Sequence, residues 1–202
     1  GHERAFLEAE DALEFARRGL LEHGVDLVGG DITLDGTLTN TLTIEGDEPT
    51  TLNVSEDGSV DNEDGDAVVV TADGATINNS GLIRTGGGFA INGQGSNLTV
   101  NNDGDIEAAG AGSIALFAAD GATVTNAGTI SAGEGTDVAT VIFGGGTLVN
   151  TADGEIVSDG LGGVIFAGEG VVDNDGTISA TADGAIAAAG SGGHVFPALA
   201  VA

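Results

Sequence analysis

The chain has 202 residues, with 32 Asp and Glu against 4 Arg and no Lys, so its formal net charge is −28. A field of that sign repels phosphate backbones and anionic lipid, which excludes nucleic acid and an anionic membrane surface as partners. Cysteine is absent, removing disulfides, thiolate metal sites and thiol nucleophiles together, while 41% hydrophobic residues call for a packed core under an acidic exterior.

From the amino terminus, Gly1-His2 reads as a cloning remnant ahead of an internal fragment. Residues 3–23 hold three of the four arginines, Arg4, Arg17 and Arg18. Leu13, Ala16 and Leu20 make one apolar stripe and Gly24 ends it, which predicts an amphipathic α-helix over residues 1–24 that caps the open end of the repeat region.

Residues 25–189 repeat, and the repeat decides the fold. The unit is an apolar or Thr-bearing strand, then Asn or Asp, a glycine, one residue, and Ile, Leu or Val, as in INNSGLI at 77–83, VNNDGDI at 100–106 and VTNAGTI at 124–130. The glycines fall at Gly36, Gly58, Gly81, Gly104, Gly128, Gly154 and Gly176, at spacings of 22, 23, 23, 24, 26 and 22. A period of this size suits three short strands and three turns. Two more strand-like pieces per unit, such as Phe89-Ala90-Ile91 and Leu98-Thr99-Val100, supply the remaining sides. The predicted fold is therefore all-β: a parallel β-helix, or β-solenoid, of about seven coils. Residues 190–202 read as an apolar tail or short helix covering the last coil. No apolar run reaches the roughly 20 residues of a membrane-spanning helix, and the fragment is expected to be soluble.

The unit N-x-G-x-I, as in Asn79-Ser80-Gly81-Leu82-Ile83 and Asn126-Ala127-Gly128-Thr129-Ile130, resembles the degenerate repeats of autotransporter passenger domains and related haemagglutinin-like surface proteins of Gram-negative bacteria. The resemblance covers about residues 30–190. It implies a right-handed parallel β-helix, secreted or held at the outer membrane, that serves adhesion, aggregation or a stalk, with host or cell-surface glycans or further copies of itself as partners. It implies no activity, because function in such families sits on insertions or on particular faces. Residues 190–202, GSGGHVFPALAVA, resemble the glycine-rich loop and following helix of the lipid II-forming N-acetylglucosaminyltransferases. None of that family's two-domain fold lies behind the loop, so no transferase is implied.

Several files of residues are candidates for chemistry. Asp35, Asp57, Asp103, Asp153 and Asp175 each precede a motif glycine, and stacked coils would set them in one file about 4.8 Å apart. Such a file is either a row of solvated Asp-Gly turns or a weak Ca²⁺ site; no other cofactor is expected. Asn79, Asn102, Asn126 and Asn174 stand two residues before their glycines, with Asn150 displaced by a two-residue insertion; stacked, their amides would bond along the axis. Phe117, Phe143 and Phe166, one per coil, read as an interior aromatic stack. Thr76, Thr99, Thr123 and Thr147 form a further file at spacings of 23, 24 and 24, while the position two residues on reads Asn78, Asn101, Thr125 and Val149. Thr on a β face is the plain reading, and an ice-binding surface the alternative. Many solenoids cleave polyuronates, but residues 25–190 contain Arg84 as their one cation and no Lys, Tyr or His, so the base and electrophile of that chemistry are lacking. The chain is read as a structural or adhesive module rather than an enzyme, with a polysaccharide-binding or hydrolysing solenoid as the alternative.

Overall fold

Each coil carries three short runs bounded by Gly, Asn or Asp, two in which apolar residues alternate with others and one that is mostly apolar throughout. Runs so short and so rich in β-branched residues cannot hold a helix and fit a strand with one buried face. In the computed structural model these runs are strands among the described residues. The structure describes residues 25–133, 139–159, 162–181 and 186–188; the expected helix over 1–24 and the tail at 190–202 lie outside them.

The strands stack on three faces of a parallel β-solenoid. In one coil, Val68–Val70 lies on the first face, Thr76–Asn79 on the second and Leu82–Thr85 on the third. Each pairs in parallel with its counterpart one coil away, as Val68 with Ile91, Thr76 with Thr99 and Ile83 with Ile106. The strand Leu42–Val54 runs round a corner, so that Leu42–Ile44 pairs on the first face and Thr51–Val54 on the second. The third face holds seven strands and hence six coil-to-coil steps. The solenoid thus has about six turns, and the seven sequence motifs number its rungs.

Alternation places one set of side chains inside. On the third face Ile83, Ile106, Ile130, Ile156 and Ile178 occupy one register position in successive coils. The first four are fully buried, and Ile178, in the last strand of that sheet, is partly so. Leu52, Ile77, Val100, Val124, Leu148 and Val172 form the matching file on the second face, all within the core. At the corner between the first and second faces the chain turns through a left-handed residue: Gly74 (φ 68°), Asn97 (φ 59°) and Gly121 (φ 77°). Asn is the one residue with a Cβ at this position, in keeping with its tolerance for that conformation.

The three phenylalanines expected to stack inside do not share one register position. Leu116 pairs with Val141, a step of 25 residues, whereas Phe117 and Phe143 are 26 apart. Phe117 therefore meets Ile142 in register, and Phe143 meets Ala118 and Phe166. Phe117 occupies an outward position between buried Leu116 and Ala118 and packs on the ring of Phe89, with centroids 5.8 Å apart and planes at 57°.

The isoleucine file predicts a sharp ranking of substitutions at its centre. Ile130→Val should cost about 1 kcal/mol, while Ile130→Asp sets an unpaired carboxylate between Ile106 and Ile156 and should abolish cooperative folding. Chemical denaturation followed by far-ultraviolet circular dichroism reads both; an aspartate tolerated at this position would mean that the file is not interior.

Candidate functional site

The corner between the second and third faces is the most regular part of the molecule. Its inward position reads Leu34, Val54, Asn79, Asn102, Asn126, Asn150 and Asn174 in register. The four asparagines from Asn79 to Asn150 are buried, so each amide must find partners inside the protein. They find one another: the Nδ2 of Asn79, Asn102, Asn126 and Asn150 donates to the Oδ1 of the next asparagine at 2.8, 2.8, 2.8 and 2.7 Å. The same nitrogens also reach main-chain carbonyls, as Asn102 does to Gly104 at 3.0 Å and Thr129 at 3.2 Å. Asn150 is no exception. The insertion in its coil falls after it, in 151–153, and Asn150 keeps its place in the ladder and still donates to the Gly154 carbonyl at 3.1 Å. The ladder ends at Asn79, whose Oδ1 faces Val54 and has no partner.

Beside the asparagines runs the file of motif glycines. None of Gly58, Gly81, Gly104, Gly128, Gly154 and Gly176 has a positive φ; what demands glycine is close approach. A Cβ on Gly81 would strike the carbonyl oxygens of Gly58 and Ser55, one on Gly104 that of Gly81, and one on Gly128 that of Gly104. Those carbonyls point along the axis because each accepts a hydrogen bond from the coil above, as Gly58 does from Leu82 at 3.1 Å, Gly81 from Asp105 at 2.8 Å and Gly104 from Thr129 at 2.9 Å.

The five aspartates do not form one file. The residue after the ladder position donates its N–H to the ladder carbonyl of the coil below: Ser55 to Leu34, Ser80 to Val54, Asp103 to Asn79, Ala127 to Asn102, Thr151 to Asn126 and Asp175 to Asn150. Ser55 and Thr151, rather than Asp57 and Asp153, therefore hold the equivalent place. Asp57 and Asp153 ride on wider turns closed by Gly58 N–H to Ser55 C=O and Gly154 N–H to Thr151 C=O, each 2.9 Å. Asp35, Asp103 and Asp175, the three carboxylates of this column, each lie three coils from the next, or about 14 Å at the strand spacing, beyond the reach of one ion and beyond a Debye length in physiological salt. Asp35, Asp57, Asp103, Asp153 and Asp175 are all exposed. Among the described residues no three acidic or imidazole groups converge as metal ligands.

Arg84 lies on the outward side of the third face between Asp61 and Glu107, its register neighbours in the coils below and above. It bonds Asp61 at 2.9 Å and approaches Glu107 at 3.6 Å. The hydrogen bond and charge of Asp61 hold the guanidinium pKa above its already high value. A cation so engaged offsets carboxylate repulsion between adjacent coils.

The second face has a different outward surface. One file reads Thr51, Thr76, Thr99, Thr123 and Thr147, and the file beside it Asn53, Asn78, Asn101, Thr125 and Val149, with no register shift between coils. Asn78 donates to Asn53 Oδ1 and Asn101 to Asn78 Oδ1, both at 2.8 Å, so the second file carries a short amide ladder of its own.

No family model matches the sequence, and no curated protein or solved structure matches it significantly.

Two measurements test this corner. Replacing Asn79 by Val only moves the ladder's end by one coil, from one unpartnered Oδ1 to another, and should change stability little. Replacing Asn126 by Val creates an additional buried orphan at Asn150 Oδ1 and should cost about 1–3 kcal/mol more; equal losses in denaturant titrations would show that the amides do not act as a chain. As for charge, with the carboxylates dispersed, cations act by screening. Ca²⁺ and Na⁺ at matched ionic strength should raise the melting temperature alike, and Asp103→Asn with Asp153→Asn should leave that equality intact. A clear excess for Ca²⁺ would require a bound ion.

Proposed function

We propose that this chain is a structural and adhesive rod, a module of a secreted or surface-displayed bacterial protein that works without catalysis. The observation that carries this reading is the sameness of the coil-to-coil bonding: strand ladders on three faces and the amide ladder at one corner are repeated with the same partners from rung to rung. A fold built this way lengthens by about 4.8 Å per added coil without any change in cross-section. It presents long lateral surfaces in place of a single cleft. The recurring N-x-G-x-I unit, with its resemblance to passenger domains of exported surface proteins, supports display outside the cell. The engagement of Arg84 by Asp61 and Glu107 supports a scaffold role for the one cation in residues 25–202.

The reading is tested on intact cells that produce the natural protein. An antibody raised against residues 25–189 should label unpermeabilised cells, and deletion of those residues should lower attachment or clumping. Labelling that appears only after lysis, or release of reducing ends when the purified chain is incubated with polysaccharides, would overturn it.

A further inference from the structure

The outward side of the second face differs from that of the third in its charge, and from that of the first, whose strands are largely apolar, in its polar Thr and Asn files. The chain carries 32 acidic residues, and acids occur among the outward positions of the third face, at Asp61, Asp105, Glu107 and Glu155. On the second face, the outward positions of the five successive coils from Thr51 to Val149 hold only Thr, Asn and one Val. Charge returns in the flanking rungs, at Asp31 below and Asp173 above. A surface five rungs long that is polar yet uncharged suits something to which charge is a hindrance.

Its geometry narrows what that is. Thr51, Thr76, Thr99, Thr123 and Thr147 repeat along the axis at the strand spacing of about 4.8 Å, and the neighbouring file lies two residues along the strand, roughly 6.6 Å away. The axial repeat is close to the spacing of water oxygens along the a axis of ice. Thr side chains are stiff at χ1, and the asparagines of the second file are tied by Asn78 to Asn53 and Asn101 to Asn78, so the array is ordered before anything binds. Among the described residues the hydroxyls of the Thr file make no hydrogen bond to protein, leaving them to water. The face has no aromatic ring on which a sugar could stack, and the acidic flanks repel a second copy.

We propose that the outward side of the second face orders water on an ice-like lattice and binds ice. Ice suits this surface because it is uncharged and periodic. A carboxylate would orient its own hydration shell against the lattice, whereas a row of methyl and hydroxyl groups at fixed spacing lets water take lattice positions.

The chain fused to a fluorescent protein should be incorporated into a slowly growing ice hemisphere, and the fluorescent protein alone should be excluded. Solutions of the chain should show thermal hysteresis. Thr99→Lys should reduce incorporation to that of the fluorescent protein alone with an unchanged melting curve. Thr99→Ala with Thr123→Ala, which adds neither bulk nor charge, should lower it as well. Asp105→Lys on the third face should leave it intact. Exclusion of the unmodified chain from ice, or equal incorporation of all variants, would overturn the proposal. So would sedimentation at the same concentration showing a dimer that Thr99→Lys dissociates, or retention on insoluble neutral polysaccharide without incorporation into ice; the first assigns the face to a second copy and the other to a glycan.

Discussion

A parallel solenoid holds together only if every circuit of the chain returns to within one strand spacing, about 4.8 Å, of where it started. Circuits here differ in length: the step from Leu42 to Val68 is 26 residues, that from Thr76 to Thr99 is 23 and that from Asn126 to Asn150 is 24. Through these differences the Asn-Gly corner keeps its register. Its asparagine amides bond only to the amide directly above or below, and its glycine carbonyls lie so close beneath the next coil that nothing larger than hydrogen fits. Extra residues are therefore pushed out of the corner into solvent, as Asp57 and Asp153 are, while the corner keeps its register. The three strand ladders and the hydrophobic files inherit that register.

The same constraint explains what could be read from the sequence. Glycine and asparagine at the corner are dictated by close approach and by the need to satisfy buried amides, so they recur at a visible period. The isoleucines beside them recur for the same reason, and the fold rests on the three together. Outward residues obey no such rule. Counting back from each glycine puts Asp57 and Asp153 in line with Asp103, but the structure counts forward from the asparagine column, and the wider turns after Val54 and Asn150 carry those two aspartates away from the line. Spacing from Phe143 puts Phe117 inside, and one residue of difference turns it out, because a single-residue slip exchanges the two sides of a strand. For the aspartates the sequence does hold a signal: Val54-Ser55-Glu56-Asp57-Gly58 and Asn150-Thr151-Ala152-Asp153-Gly154 have the same length and differ together from Asn102-Asp103-Gly104.

Charge is distributed in a way that the fold tolerates. Among the described residues every buried polar side chain is neutral, Thr, Ser or Asn, so none of their carboxylates is stranded in a dry interior, where an unpaired charge is costly. Like charges opposite one another in adjacent strands are destabilising. On the third face the one charge between Asp61 and Glu107 is Arg84, and in the corner column two neutral residues, Ser, Ala or Thr, separate each acid from the next. Repulsion is thus kept from direct neighbours in these positions, and it is of the kind that salt reduces.

This arrangement separates two demands that compete in most globular folds. Stability is supplied by files of inward and corner residues whose partners are their own equivalents one coil away, so it accumulates with each rung and needs little from the outward side chains. Those side chains are then free to vary without cost to the fold, and on the third face they do: Ser59, Leu82, Asp105, Thr129, Glu155 and Thr177 share one register position and little chemistry. Five threonines in a row on the second face are not required by the same reasoning, since Leu82 or Asp105 shows what an outward position accepts. Packing cannot account for that uniformity, and a demand made from outside the rod can.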